Sequence, residues 1–504
     1  MRRQLTAFCM VVPMTMVGAP PLAYAAPSAR PATLTQALAE AYADNPTLQE
    51  QRANLRATDE AVPAALAGWR PTIEVQGTAG RITGTTEEAF PGTNPFTGQT
   101  TLNRSTLAQS RNEAIGQITV TQPIYKGGAT VAKTHEAKNS VYAARAQLLS
   151  TEQSVFAKVV NAYVTVITDR QLLALDINNR RVLNQQLRAV EDQFNVGEIT
   201  ETSVAQAQAS LAGAQEQVEV ADGNLHIANE TFRQLVGASP AAHLVPPQPL
   251  ALPIKNRADL IHQAMINNPD VIAALFTQGS DRDAVDVAIA ALAPQISIAA
   301  SAYDESNPSG PHSRATGGQV LANLTVPLYQ GGSEYAAIRQ ARDKVQFADA
   351  GVIDARRTAV QSATQAWEGL IASKAAVRST QEEIRSDAIA LDGTERQEIV
   401  GTRDTLDVLN AQQLLFNAQT TQIQNIANVV NESYSIAAAI GRLTATDLAL
   451  PVTHYDDLKY YNSVKDALFG NGNEAYQEAG ISPDGTLLNE PVPVPIAAGV
   501  PSTP

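Results

Sequence analysis

The chain is written twice, and few folds can accommodate that. TVTQPIYKGGATVAK, residues 119–133, returns as LTVPLYQGGSEYAAI, residues 324–338. Pro123, Tyr125, Gly127 and Gly128 thus recur as Pro327, Tyr329, Gly331 and Gly332, each 204 positions on. Val196-Gly197 recurs as Val400-Gly401 and Leu235-Val236-Gly237 as Ala439-Ile440-Gly441 at the same spacing. Asn45-Pro46 recurs as Asn268-Pro269, and Trp69-Arg70-Pro71 as Leu292-Ala293-Pro294, 223 positions on. The difference places a longer loop in the first copy, between Pro71 and Pro123. Two repeats, 33–238 and 256–442, follow, joined by a Pro-rich linker at 239–255.

Both repeats read as helix, strand, loop, strand, long helix, turn, helix. In the first, Ile73, Val75 and Ala79 alternate with Glu74, Gln76 and Thr78. Ala114, Gly116, Ile118 and Val120 alternate with Glu113, Gln117, Thr119 and Thr121. Gln295 to Ala302 and Gln319 to Val326 do the same in the second. Period two over about ten residues predicts strands with one apolar and one polar face, long enough to cross a bilayer when tilted. The stretches 83–110 and 304–314 read as external loops.

The helices are rods. Nothing interrupts the helical pattern from Gly128 to Asn195, a span of about 100 Å at ~1.5 Å per residue. The spacing predicts shorter helices over 33–68 and 200–236, which laid end to end match the long one. Val204, Leu211, Val218, Leu225 and Phe232 lie seven apart, as do Ala207, Ala214, Ala221, Ala228 and Leu235. That seam implies left-handed packing on a neighbour. In the second repeat Val408, Leu415, Val429 and Ile436 form one row, with Gln422 in it. Leu409, Phe416, Ile423 and Val430 form the next, a face broad enough for two neighbours.

Residues 1–25 read as a secretory signal peptide: Arg2 and Arg3, an apolar run, then Ala23-Tyr24-Ala25. The only cysteine, Cys9, lies inside it, so no disulfide or thiol chemistry is expected of the rest. The 36 basic and 50 acidic residues give a net charge of −14, against nucleic acid. The histidines show no metal spacing, and no HExxH, GxSxG, P-loop or GxGxxG occurs. No enzyme and no cofactor are therefore expected. A periplasmic coiled-coil adaptor or structural protein is the rival reading, but it has no use for four alternating strands set between rods.

Four strands cannot close on themselves, and an open edge in lipid leaves backbone groups unsatisfied at several kcal/mol each. Several copies must therefore join. Two would give eight strands and three twelve, and the pattern alone does not choose. Pro123 and Pro327 are expected to end strands, Tyr125 and Tyr329 to sit at the lipid boundary with Trp69, and the glycine pairs to turn sheet into rod.

The chain resembles the TolC-like outer-membrane factors of multidrug efflux and type I secretion. The resemblance is most specific over Val400-Gly-Thr-Arg-Asp-Thr-Leu-Asp-Val-Leu-Asn-Ala411 and Phe416-Asn417-Ala418-Gln419, with Phe194-Asn-Val-Gly197 and Ala207-Gln-Ala209 as first-repeat counterparts. It implies a mixed α and β membrane protein: a homotrimer whose twelve-stranded outer-membrane β-barrel, four strands per subunit, continues into a periplasmic α-helical barrel. It implies a periplasmic adaptor and an inner-membrane transporter as partners. The location implied is the outer membrane of a Gram-negative bacterium, with most of the mass in the periplasm.

The same resemblance makes the helix turns a periplasmic gate. Gly197 and Gly401 would close the rods, Arg403 would be the gate arginine and Asp407 the first constricting aspartate. Departures stand beside these. Asn410 replaces a second aspartate, Glu398 replaces a latch tyrosine, and Ser203, next to Thr202, replaces an aspartate. The latch is therefore rewired, with Glu398 or Glu201 expected as the ion partner of Arg403. Asp404 reads as a first-turn acid complementing the helix dipole. Beyond the repeats, 443–504 reads as a tail, with Tyr455 to Phe469 packed on the helical body and the Pro-rich end disordered.

Overall fold

The computed structural model describes residues 30–470 apart from Asn94 and Pro311, so the expected signal peptide at 1–25 and the expected disordered end of the tail lie outside the described residues. The first repeat contains α1 (Leu34–Asp44), α2 (Pro46–Asp59), α3 (Ala61–Leu66), β1 (Thr72–Thr93), β2 (Thr100–Lys126), α4 (Ala129–Asn195) and α5 (Glu201–Val236). The second contains α6 (Arg257–Asn267), α7 (Pro269–Ala290), β3 (Gln295–Ser306), β4 (Arg314–Thr325), α8 (Ser333–Ile399) and α9 (Thr405–Ala439). A short α10 (Lys459–Val464) follows.

The rods α4 and α8 are each 67 residues long, about 100 Å. Each folds back on its successor, α4 on α5 and α8 on α9, while α7 lies on both α4 and α8. In the first-repeat seam Ala207, Ala214, Val218, Ala221, Ala228 and Phe232 are buried, while Val204, Leu211, Leu225 and Leu235 are half-buried, on a helix that packs chiefly on α4. The broad face of α9 meets two neighbours, α8 and α4, burying Val408, Leu409, Phe416, Val430 and Ile436. The largest apolar cluster lies where α1, α2, α4, α5 and α9 meet, around Phe156, Val159, Tyr163 and Phe232.

The helix expected over 33–68 is broken. Asn45 is extended and caps α2, accepting from Thr47 N–H at 3.0 Å, with Pro46 as the first helical residue. A proline there lacks only an N–H that the helix start leaves unpaired, whereas inside a continuous helix it would clash. Asn268-Pro269 separates α6 from α7 in the same way. Glu60 then separates α2 from α3.

The four strands form one antiparallel sheet in the order β1-β2-β3-β4. Contrary to expectation, 83–110 is not a loop: Thr83 pairs with Ser110, and the ladder continues to Thr93↔Thr100. Threonine's branched side chain suits a pleated ribbon, which is why a polar, Thr-rich stretch stays extended. The β3–β4 ladder stops at Ser306↔Arg314, leaving the first hairpin standing beyond the rest of the sheet. Pro123 does not end its strand either. Proline has no N–H to donate, but a shift of register between Pro123 and Tyr125 absorbs it and β2 runs on to Lys126. Pro327 lies two residues beyond the end of β4.

Residues 239–255 cross the helical body. Val245 N–H donates to the Ala32 carbonyl, the Tyr163 hydroxyl lies 2.9 Å from the carbonyls of both Ala32 and Val245, and Leu250 N–H donates to Ser433 Oγ.

Candidate functional site

Two turns terminate the rods, and they are built alike. Gly197 and Gly401 have φ of 83° and 76°, the left-handed region that favours glycine past a helix end. Gly197 N–H donates to Phe194 O and Glu198 N–H to Gln193 O; Gly401 N–H donates to Glu398 O and Thr402 N–H to Gln397 O. The four bonds superpose under the 204-residue shift.

The helices that follow start differently. Thr200 caps α5 by accepting from Ser203 N–H at 3.4 Å, its hydroxyl 3.3 Å from that of Ser203, which is buried. Thr202 and Glu201 are exposed. Asp404 caps α9. Asp407, one turn in, reaches back: its Oδ2 lies 3.3 Å from Arg403 Nη1 and accepts from Asp404 N–H at 3.5 Å. Arg403 Nε also donates to Gln397 Oε1 at 3.3 Å. Within this chain the ion partner of Arg403 is thus Asp407, not Glu398 or Glu201: Arg403 immediately precedes the Asp404 cap, and Asp407 in the first turn of α9 turns back toward it. Asn410 is exposed on the face next to Asp407, and Glu398 Oε1 is buried without a hydrogen-bond partner.

Above the turns the two hairpins touch. Leu183, Ala214 and Leu409 form an apolar layer with Leu211. Over it, Gln412 Nε2 of α9 donates to Oδ1 of the buried Asn179 of α4 at 3.4 Å. This tie had no signal in the pattern, because an asparagine on a long polar helix resembles any solvated position.

At the other end of the rods the glycine pairs stand just before α4 and α8. Gly128 and Gly332 cap α4 and α8 at φ 88° and 87°. A Cβ on Gly127 would stand 2.4 Å from Ala293 Cβ and 2.7 Å from Ala290 O, so the first junction presses against the end of α7. Tyr125, Tyr329 and Trp69 are all substantially exposed there. On the sheet Ile73, Val75, Val320 and Leu324 are 64–76% exposed, an apolar face that water would not leave uncovered. Among the described residues no helix is long and apolar enough to cross a membrane, and no group of His, Cys, Asp or Glu could hold a metal.

The sequence profile of a known family, outer membrane efflux protein, matches residues 37–238 and 260–442. The chain belongs to the outer membrane efflux protein family. Within it, the chain is 31% identical over 448 residues to outer membrane efflux protein BepC of Brucella suis, covering 87% of this chain and 91% of that one. It is 26% identical over 357 residues to outer membrane protein TolC of Vibrio cholerae, covering 69% and 81%. The solved structure of the Campylobacter jejuni CmeC outer membrane channel has the same fold, with a TM-score of 0.70 at 16% identity over 86% of this chain and 89% of that one. The efflux-protein fold accounts for the equal rods and for the open sheet at one end of them.

Proposed function

We propose that this chain is the outer-membrane exit duct of a tripartite efflux or type I secretion system. The observation that carries the reading is the sheet: four strands, both outer edges unpaired by this chain, an apolar face turned outward, and a rod at the foot of each hairpin. Three copies would place twelve strands in a closed barrel in the outer membrane, and the paired rods below it would enclose a tunnel through the periplasm.

The duct performs no chemistry. It is opened at the turns around Gly197 and Gly401 when a periplasmic adaptor and an energised inner-membrane transporter engage them. Arg403 and Asp407 hold the closed turn of α9. Glu398, Asn410, Glu201, Thr202 and Ser203 surround it, and the buried Glu398 oxygen is available to a neighbouring subunit. The glycine pairs, with Pro123 and Pro327, fix the angle at which sheet becomes rod, and the tyrosines mark the lipid boundary.

The test is membrane fractionation followed by cross-linking and planar-bilayer recording. A detergent-requiring outer-membrane trimer with a small closed-state conductance is expected. A water-soluble single subunit without detergent affinity overturns the reading.

A further inference from the structure

After α9 the chain does not leave the body of the molecule. Residues 443–470 run back across the first repeat as a strap, tied at intervals. Ala445 N–H donates to Glu152 of α4, Tyr455 N–H to the Tyr42 hydroxyl, and the Tyr460 hydroxyl to Glu60 Oε1 at 2.7 Å. Near its end the Ala467 carbonyl accepts from Arg70 Nη1 at 2.6 Å.

Between α2, α4 and this strap lies a cluster of ionisable groups that the duct reading does not use. Asp59 of α2 is 1% exposed, and neither of its carboxyl oxygens has a hydrogen-bond partner. Arg145 of α4 has Nε and Nη2 buried and equally without hydrogen-bond partners; its Nε lies 3.4 Å from Asp457 Oδ2 of the strap. The guanidinium carbon stands 5.7 Å from the Tyr142 ring and 5.1 Å from that of Tyr461. The groups bearing on Asp59 are Arg145 from α4, Asp457, Tyr455 and Tyr461 from the strap, and Arg56 and Glu60 from its own segment. One largely buried cation therefore bears both on a carboxyl of the body and on a carboxylate of the strap.

We propose that the strap is a proton-dependent clasp, in which protonated Asp59 leaves Arg145 to Asp457 and so holds residues 455–464 down, while ionisation of Asp59 lets that stretch lift.

A buried carboxylate without hydrogen bonds is costly, and the least disruptive way to hydrate it is to move the strap aside. Burial, opposed in part by Arg145, pushes the Asp59 pKa up to about 7. The docked form therefore holds a proton that the lifted form releases. The contribution of Asp59 to docking weakens, by up to tenfold per pH unit, as pH rises from the ordinary aspartate range toward about 7. Glu60 and Asp457 add negative charge in the same direction.

Hydrogen–deuterium exchange of the full-length protein in detergent, corrected for intrinsic rates, tests this between pH 5.5 and 8.5. Protection of the amides in 455–464 is expected to fall at least tenfold in the native protein and to stay flat in Asp59→Asn. Asp457→Asn, which withdraws the strap's hold on Arg145, should already be less protected at pH 5.5. The amides of α5 serve as reference and should not change. A flat native profile overturns the clasp, as does an Asp59→Asn profile with the native slope. A parallel loss of protection in α5 overturns it too, since the opening would then be global. If Asp59→Asn does not assemble, the native profile and Asp457→Asn decide alone.

Discussion

The Asn45 side-chain amide donates to the Leu235 carbonyl at 2.9 Å, tying the break between α1 and α2 to the last turn of α5. The second repeat makes the same bond, Asn268 to Ala439, at 3.1 Å. Each asparagine therefore does two jobs: its oxygen caps the next helix while its nitrogen satisfies a carbonyl at the end of another. Asn45→Ala should lose about 1 kcal/mol for the cap and a further ~1–3 kcal/mol for the carbonyl left unpaired. Asn45→Asp keeps the cap and loses only the second part. Chemical denaturation in detergent separates the two: equal losses would mean that the cap carries nothing, and an Asp variant as stable as the native protein would mean that the Leu235 bond carries nothing.

Gly127 and Gly331 occupy equivalent junctions at φ 64° and 69°, yet only Gly127 has close neighbours. Alanine at either should cost about 1–2 kcal/mol for the left-handed conformation. Gly127→Ala must in addition push back Ala293 and the Ala290 carbonyl. We expect the first variant to assemble poorly and melt well below the second. Equal melting temperatures would show that the contact with α7 is soft.

How much of this was legible beforehand follows from how local each signal is. The rods, the seven-residue seam of α5 and the glycine turns rest on spacing within one segment, and they stand where the spacing put them. The α1–α2 break had its signal too, since Asn45-Pro46 is a cap followed by a first-position proline and recurs as Asn268-Pro269. The extended ribbon at 83–110 was hidden because turn-rich, polar composition outweighs alternation until a partner strand is known. The Arg403–Asp407 pair was hidden because it depends on the bend before the Asp404 cap, which turns Arg403 toward the first turn of α9. Tyr455 to Phe469 was expected on the helical body, but its ties were invisible: Arg145 and Glu152 acquire meaning only from residues about 300 positions away.

Arg403 and Asp407 are both partly exposed, so their pair at 3.3 Å is worth no more than about 1 kcal/mol and is screened by salt. Arg403→Gln should therefore raise closed-state conductance in planar bilayers by up to about fivefold at low ionic strength. The difference from the native channel should shrink near molar salt. Unchanged conductance at low salt would remove Arg403 from the gate. Asn179→Leu, which breaks the tie to Gln412 without exposing Arg403, should raise conductance by a similar factor that salt does not suppress.

Glu152 holds the other end of the strap, and its behaviour should differ in kind from that of the Arg403 pair. It is 7% exposed and accepts from Ala445 N–H at 2.6 Å, with Arg52 and His454 near enough to favour its charge and Asp447 to oppose it. Burial dominates and raises its pKa above the ordinary 4.5. The folded state thus retains a proton that the unfolded chain would give up, and the stability this group contributes is complete below that range and declines as pH rises through it. Glu152→Gln keeps an acceptor for Ala445 while removing the titration, so its stability should equal or exceed the native value at neutral pH and vary less with pH. Glu152→Leu leaves the Ala445 N–H buried and unpaired, a loss of about 1–3 kcal/mol at every pH. Melting curves of the three proteins from pH 4 to 8 distinguish the cases, and a Gln variant as unstable as the Leu variant would mean that the ionised carboxylate itself holds the strap.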